Sequence, residues 1–113
     1  MTTERRDTPR IPIALDAFLR DENSSFLRFL TRDISLDGAF VETGRAGLPG
    51  AGSLELALKL PTDTAGGPKL HRMHAQVTRL APDGAGVVFD KVNTDAYAAL
   101  LNLVFSRQPK GLY

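Results

Sequence analysis

The chain has 113 residues and a formal net charge of +1, which fits one domain and gives no global basic field for duplex nucleic acid. Apolar residues make up 42% of it, enough for one modest core. The absence of cysteine excludes disulfides, thiolate metal sites and cysteine nucleophiles. No apolar run approaches the roughly 20 residues that span a bilayer, and the N-terminus has no signal-peptide stretch. We therefore expect a cytoplasmic protein without membrane insertion.

The first part of the chain predicts strands after a charged segment. Residues 1–10 are polar and are expected to form a flexible arm, whereas residues 11–113 form the folded domain. Apolar residues alternate from Ile11 to Leu19, which is typical of one half-buried strand. Two further extended runs follow, from Phe26 to Ser35 and from Ala39 to Thr43. A glycine-rich loop then separates these strands from the second part of the chain.

The second part of the chain predicts three more strands and a helix. Leucines alternate strictly from Leu54 to Leu60, and a long extended segment covers residues 69–80. Pro82-Asp83-Gly84 reads as a hairpin turn before the last strand. The apolar period then becomes helical from Tyr97 to Phe105, which predicts a helix over about residues 94–106. This order predicts a mainly β fold, a small antiparallel barrel or sandwich with a helix packed on it.

Two short motifs carry chemistry. Arg6 and Arg10 place two guanidinium forks four residues apart in the arm. Asp33 and Ser35 lie two residues apart on a predicted strand, so their side chains are expected to face one site together; Gly38 follows them. Guanidinium forks bind phosphate and guanine edges, and carboxylates accept hydrogen bonds from guanine N–H groups. The two motifs therefore predict a guanine nucleotide ligand.

An RxxxR pattern followed by DxSxxG resembles the PilZ domain, a family of bacterial receptors for the second messenger cyclic di-GMP. The matching residues are Arg6, Arg10, Asp33, Ser35 and Gly38, and the resemblance covers nearly the whole chain. It implies a six-stranded antiparallel β-barrel of the split-barrel or Greek-key type with a C-terminal α-helix. It also implies cyclic di-GMP as the ligand, no cofactor and no enzymatic activity.

Each motif residue has an expected role in binding this ligand. Arg6 and Arg10 would bind phosphate and the O6 and N7 edge of guanine, a contact that lysine replaces poorly. Asp33 would accept from the guanine N1–H and exocyclic amine, and Ser35 would donate to phosphate or bridge a neighbour. Gly38 would allow a backbone shape or a close approach that a side chain blocks.

The position of the arginines on the arm implies how the protein signals. Binding would order the arm over the barrel and create a new surface for an unidentified effector protein. Arg5, directly before the RxxxR motif, is a basic residue that the resemblance associates with a stacked pair of ligands, so two cyclic di-GMP molecules per chain are expected. The sequence does not predict the oligomeric state or the regulated pathway.

Alternative functions remain at this stage. A PilZ-like adaptor that binds proteins without nucleotide would share the fold. A barrel that binds single-stranded nucleic acid is poorly supported, because the chain has no tryptophan and is nearly neutral. No catalytic constellation for a hydrolase is recognisable.

Several residues also have purely structural interpretations. Asp33 and Ser35 would then form only a turn network with Asp37. Arg28, Arg32 and Arg79 are interpreted as outward strand residues, although Arg79 lies on a strand that could border the site. His71 and His74 are three residues apart on a strand and should face opposite sides, so we expect no metal site.

Overall fold

The computed structural model describes residues 9–22, 24–44, 47–48, 52–62 and 66–106. Strands and one helix account for most of this part of the chain. Their bounds are β1 Ile11–Pro12, β2 Asp16–Arg20, β3 Leu27–Ile34, β4 Gly38–Glu42, β5 Ser53–Leu60, β6 Lys69–Ala81, β7 Gly84–Asp90 and α1 Thr94–Ser106.

The sheet closes into a barrel because β3 pairs on both of its edges. The neighbours run β3, β2, β5, β6, β7 and β4, and β4 returns to β3, with every pair antiparallel. The two-residue β1 pairs with β3 beside β2, so β1 and β2 occupy a single barrel position. The predicted six-stranded antiparallel barrel with a C-terminal helix is confirmed.

The interruption between β1 and β2 is caused by a buried threonine. The Thr31 hydroxyl donates to the carbonyl oxygen of Ile13 at 2.7 Å and accepts from the backbone N–H of Leu15 at 2.9 Å. The continuous strand that the alternation predicted between Ile11 and Leu19 is therefore wrong at residues 13–15. Backbone bonds to β3 persist there, from the Ile13 N–H to the Arg32 carbonyl oxygen at 3.2 Å and from the Thr31 N–H to the Leu15 carbonyl oxygen at 3.0 Å. The Thr31 hydroxyl satisfies the Ile13 carbonyl and the Leu15 N–H, which burial would otherwise leave unpaired.

A β-bulge in β3 decides which of its residues face outward. The register between β3 and β4 shifts between Thr31 and Asp33. Thr31 and Ile34 are both buried and pair with residues whose side chains enter the core. The two residues between them, Arg32 and Asp33, therefore both lie on the outer face, which strict strand alternation would not allow.

The barrel core follows the alternation of β5. The leucines at positions 54, 56, 58 and 60 are buried in the core, whereas Lys59 is exposed. The helix packs against β5 and β6 and starts where the Asn93 side chain accepts a hydrogen bond from the Ala96 N–H at 2.9 Å. This capping bond satisfies one of the free N–H groups of the first helical turn.

The packing face of the helix differs from the predicted one. The structure buries Ala96, Leu100, Leu103 and Val104. Tyr97 and Phe105, which the apolar stripe placed inward, are 45% and 52% exposed. The buried face of the helix is therefore centred on Leu100 and Val104, and the two aromatic residues lie at its edges.

Among the described residues, His71 is the ionisable residue that the fold buries. His71 is 8% exposed, and its Nε2 has no hydrogen-bond partner among the described residues. Burial, and then the positive charge of Lys69, lower the pKa of His71 below its ordinary value, whereas Asp95 acts in the opposite direction. Because the folded chain holds the imidazole neutral more strongly than the unfolded chain does, protonation favours unfolding.

We predict that the free energy of unfolding falls as the pH drops below about 6.5, where histidine in the unfolded chain takes up its proton. Replacing His71 by leucine should remove this part of the pH dependence. Urea unfolding at about pH 7.5 and about pH 5.5 measures it. His74→Gln is the matched control, because His74 is exposed. A His71→Leu variant that kept the full pH dependence would contradict the assignment.

Candidate ligand-binding site

The Asp33 carboxylate is the centre of the candidate site. Asp33 lies next to Pro12 across the β1–β3 ladder, and Arg10 precedes β1 on the chain. The Arg10 Nη1 is 3.4 Å from Asp33 Oδ1, with the two side chains 50% and 27% exposed. The structure therefore brings together one residue from each sequence motif on the outer face of the barrel.

This ion pair leaves Asp33 incompletely satisfied. Asp33 Oδ1 is a buried atom that receives no hydrogen bond from any described residue, because the contact with Arg10 is an ion pair without hydrogen-bond geometry. Leaving a buried acceptor without a donor costs roughly 1–3 kcal/mol. A ligand that offers an N–H group at this position would recover that free energy.

Ser35 does not share a strand face with Asp33, contrary to what its spacing predicted. β3 ends at Ile34, so Ser35 lies in the following turn and is only 3% exposed. Its Oγ accepts from the backbone N–H groups of Asp37 at 3.1 Å and Gly38 at 3.2 Å. Its own N–H donates to the Gly38 carbonyl oxygen at 2.8 Å. The hydroxyl organises the turn, as the structural interpretation of this motif expected.

Gly38 is required by a close approach between two strands. It pairs with Val88 at the start of β4, and a Cβ at this position would collide with the carbonyl oxygen of Val87. The turn is also held to β7 by the Phe89 N–H, which donates to the Asp37 carbonyl oxygen at 2.7 Å. The predicted close approach is present, and it is made to the backbone of β7.

The Arg32 side chain is held by contacts within the protein. Its guanidinium lies 4.3 Å from the centre of the Phe40 ring and donates to Glu42 at 2.9 Å and Asp83 at 2.8 Å. These partners raise the pKa of Arg32 above its ordinary value, chiefly through the hydrogen bond with Glu42. Phe40 is buried on the outer face by this cover. No sequence motif indicates this cluster, because its members come from separate parts of the chain.

A surface cavity of about 630 Å³ adjoins the turn that follows β3. Its lining includes Leu36 and Asp37 from the turn, Val88 from β7 and Tyr97 from the helix. The volume falls within the range of small-molecule sites. The exposed Tyr97 ring, misassigned to the core by its helical spacing, forms part of this wall.

The remaining predictions concern two arginines of the arm, metal binding and membrane spans. Arg5 and Arg6 lie outside the part of the chain that the structure describes. Within that part, no three histidine or carboxylate side chains form a metal-binding cluster, and His71 is buried whereas His74 is exposed. Among the described residues, no helix is long and apolar enough to cross a bilayer.

Comparison with known proteins identifies the family. The sequence matches the PilZ domain over residues 4–106, and the chain therefore belongs to the PilZ domain family. A search of curated proteins found no match.

Solved structures share the fold at low sequence identity. Bacillus subtilis MotI, an inhibitor of motility, is 23% identical with a TM-score of 0.77 over 94% of this chain and 52% of its own, so the chain spans about half of MotI. The PilZ domain of CeSA from a cellulose-synthesizing bacterium is 19% identical, with a TM-score of 0.61 over 87% and 96% of the two chains. The PilZ domain of Escherichia coli YcgR, solved with cyclic di-GMP, is 18% identical with a TM-score of 0.65 over 91% of each chain.

We predict that Gly38→Ala lowers the free energy of unfolding by about 1–3 kcal/mol, because the added methyl group must displace the backbone of β7. Gly86→Ala is the matched control: a Cβ there meets no atom closer than 3.7 Å, and its effect should stay within about 0.5 kcal/mol. Urea denaturation measures both variants. Equal stability of the two variants would show that the close approach does not require glycine.

Proposed function

We propose that this PilZ domain is a non-enzymatic receptor for cyclic di-GMP. The observation that carries the proposal is the buried, undonated Asp33 Oδ1 beside the Arg10 guanidinium, on the outer face of the barrel. Membership of the family supports it, as does the related PilZ domain of YcgR, which was solved with this ligand. The ligand is a second messenger, so we infer a cytoplasmic site of action.

In this proposal Asp33 reads the guanine base. The N1–H and the exocyclic amine of guanine form a donor edge, and a carboxylate is the acceptor that matches two adjacent N–H groups. Binding would supply the missing donor to Asp33 Oδ1. Adenine carries no hydrogen at N1 and no amine at C2, so the same carboxylate would discriminate against cyclic di-AMP.

Arg6 and Arg10 would neutralise the phosphates and donate hydrogen bonds to the O6 and N7 edge of guanine. Arg10 is half exposed, so its guanidinium has free surface for a ligand while one side contacts Asp33. Arg6 belongs to the same motif and would add a second fork from the arm. Ser35 and Gly38 hold the turn that positions Asp33, and Ser35 contributes to binding through that turn.

In this proposal the protein signals by ordering its N-terminal arm when the ligand binds. Fixing each residue of the arm, residues 1–10, on the barrel would cost about 1–2 kcal/mol of backbone conformational free energy, which offsets part of the contact energy. The affinity is therefore moderate, and the ordered arm provides a surface for an effector protein. The effector and its pathway are not identified by these residues.

Equilibrium binding of cyclic di-GMP to the full chain tests the proposal. Titration calorimetry should give saturable heat with cyclic di-GMP and none with GTP or cyclic di-AMP at the same concentrations. Absence of binding to the folded protein at high micromolar cyclic di-GMP would overturn the receptor assignment and favour a protein-binding adaptor without nucleotide.

We predict that Arg6→Ala, Arg10→Ala and Asp33→Ala each weaken cyclic di-GMP binding by at least about tenfold, or 1.4 kcal/mol. Their melting temperatures should change little, because an exposed ion pair contributes at most about 1 kcal/mol. Arg28→Ala and Asp16→Ala are matched controls, since these residues form an ion pair at 2.8 Å elsewhere on the outer face. Wild-type affinity in the Asp33 variant would remove that residue from the site.

We also predict two cyclic di-GMP molecules per chain. A stacked pair brings four phosphate charges together, and the additional guanidinium of Arg5 would neutralise charge and stack on a guanine face. Arg5→Leu should shift the ratio towards one ligand per chain. Calorimetry at protein concentrations well above Kd measures the ratio, and a one-to-one endpoint for the unchanged protein would contradict this prediction.

A further inference from the structure

A row of cross-strand partners joins the candidate site to β6. Asp33 pairs with Phe40 of β4, Phe40 pairs with Gly86 of β7, and Gly86 pairs with Arg79 of β6. Directly opposed residues in antiparallel strands present their side chains on the same face. Arg79 therefore lies on the outer face at the level of Asp33, three strand spacings away.

A second bulge turns Arg79 outward. The register between β6 and β7 shifts between Val77 and Arg79, as the register of β3 shifts before Asp33. Val77 packs against the core, whereas Arg79 is exposed. A Cβ added to Gly86 would lie 3.7 Å from the Arg79 Cβ, which places both positions on one face. Bulges of this kind are common where a strand must redirect a side chain near a binding site.

Between Asp33 and Arg79, few side chains rise above the backbone of the outer face, and this surface is partly apolar. Gly86 has no side chain, and a Cβ there would meet only Arg79 and Thr78 within 4 Å. The Phe40 ring extends over Gly84 and under Arg32 instead. Val88, next on this face of β7, is 43% exposed. A flat ring system could lie on this floor against the backbone.

Arg79 is also distinguished by its lack of a carboxylate partner. Every other arginine in the described part of the chain has an ion pair with aspartate or glutamate; these residues are Arg10, Arg20, Arg28, Arg32 and Arg72. No described residue forms a hydrogen bond or ion pair with the side chain of Arg79. Its guanidinium therefore keeps its full capacity to bind a ligand.

We propose that Arg79 binds the guanine that lies farthest from Asp33, so that the ligand spans the outer face from β3 to β6. The proposal rests on cyclic di-GMP being the ligand. Three strand spacings of about 4.8 Å separate the two residues by roughly 14 Å along the sheet, and cyclic di-GMP carries its guanines at opposite ends of a central phosphate ring. In the expected stacked pair, Arg10 and Asp33 hold a guanine at one end of the site, and Arg79 holds a guanine at the other.

A base contact at Arg79 has a distinct chemical requirement. An arginine fork donates two parallel hydrogen bonds to guanine O6 and N7 or stacks on the ring, and lysine reproduces neither geometry. A phosphate contact needs mainly a positive charge, which lysine supplies. The response to lysine therefore separates the two kinds of contact.

The experiment compares Arg79→Ala, Arg79→Lys and Arg72→Ala in titrations of the full chain with cyclic di-GMP. Arg72 is the matched control because it is an exposed arginine on the same strand, paired with Ala57 on another part of the sheet. We expect both Arg79 variants to weaken binding by about fivefold or more, and Arg72→Ala to bind as the unchanged protein does. The melting temperatures should remain close to one another, since Arg79 has no described partner to lose.

The outcomes separate this inference from the proposed function. Failure of the unchanged protein to bind cyclic di-GMP overturns the receptor proposal. Binding by the unchanged protein with equal affinity in Arg79→Ala overturns only the role of Arg79. Full recovery of affinity in Arg79→Lys overturns the base contact, because a charge alone would then suffice. A loss in Arg72→Ala equal to that in Arg79→Ala would reduce the effect to net charge and also overturn the inference.

Discussion

The bulge at Arg32 is the constraint on which the arrangement of the site depends. Thr31 and Ile34 must both enter the core, Thr31 to hold the corner between β1 and β2 and Ile34 to pack inside the barrel. Two consecutive residues then face outward, and they serve different purposes. Arg32 covers Phe40 and pairs with carboxylates. Asp33 is left on the open side beside Arg10, with one oxygen lacking a donor.

The DxSxxG motif combines the proposed ligand contact of Asp33 with the residues that hold Asp33 in place. The Ser35 hydroxyl and the Gly38 backbone close the turn after β3, and Gly38 allows that turn to contact β7. Ser35 and Gly38 determine where β3 ends and where β4 begins, and they thereby help to position the Asp33 carboxylate near the end of β3. Ser35 and Gly38 belong to a binding motif, and the fold requires both of them through contacts within the protein.

The sequence predicted what depends on local periodicity and failed where tertiary packing overrides it. The strict leucine alternation of β5 and the capped helix were correctly predicted, because burial on one face and one cap are sufficient to define them. The continuous first strand was wrong at residues 13–15, where the Thr31 hydroxyl, from a different strand, bonds the Ile13 carbonyl and the Leu15 N–H in place of a regular ladder. Tyr97 belongs to the predicted apolar stripe and is nevertheless 45% exposed, because a helical stripe does not state which of its edges will be covered.

The lateral order of the strands accounts for what no motif in the chain could reveal. Asp33 and Arg79 are brought to the same level only because β4 and β7 lie between β3 and β6 in the closed barrel. Each flanking strand carries a bulge at that level, and the intervening pair contributes Phe40 and Gly86. The Phe40 ring lies under the Arg32 guanidinium, and Gly86 has no side chain. The same closure that buries the core therefore leaves a strip of low side chains on the outer face, with the Asp33 carboxylate at one end. At the other end lies the Arg79 guanidinium, which has no partner among the described residues. A ligand with separate hydrogen-bonding ends requires this distribution of charge.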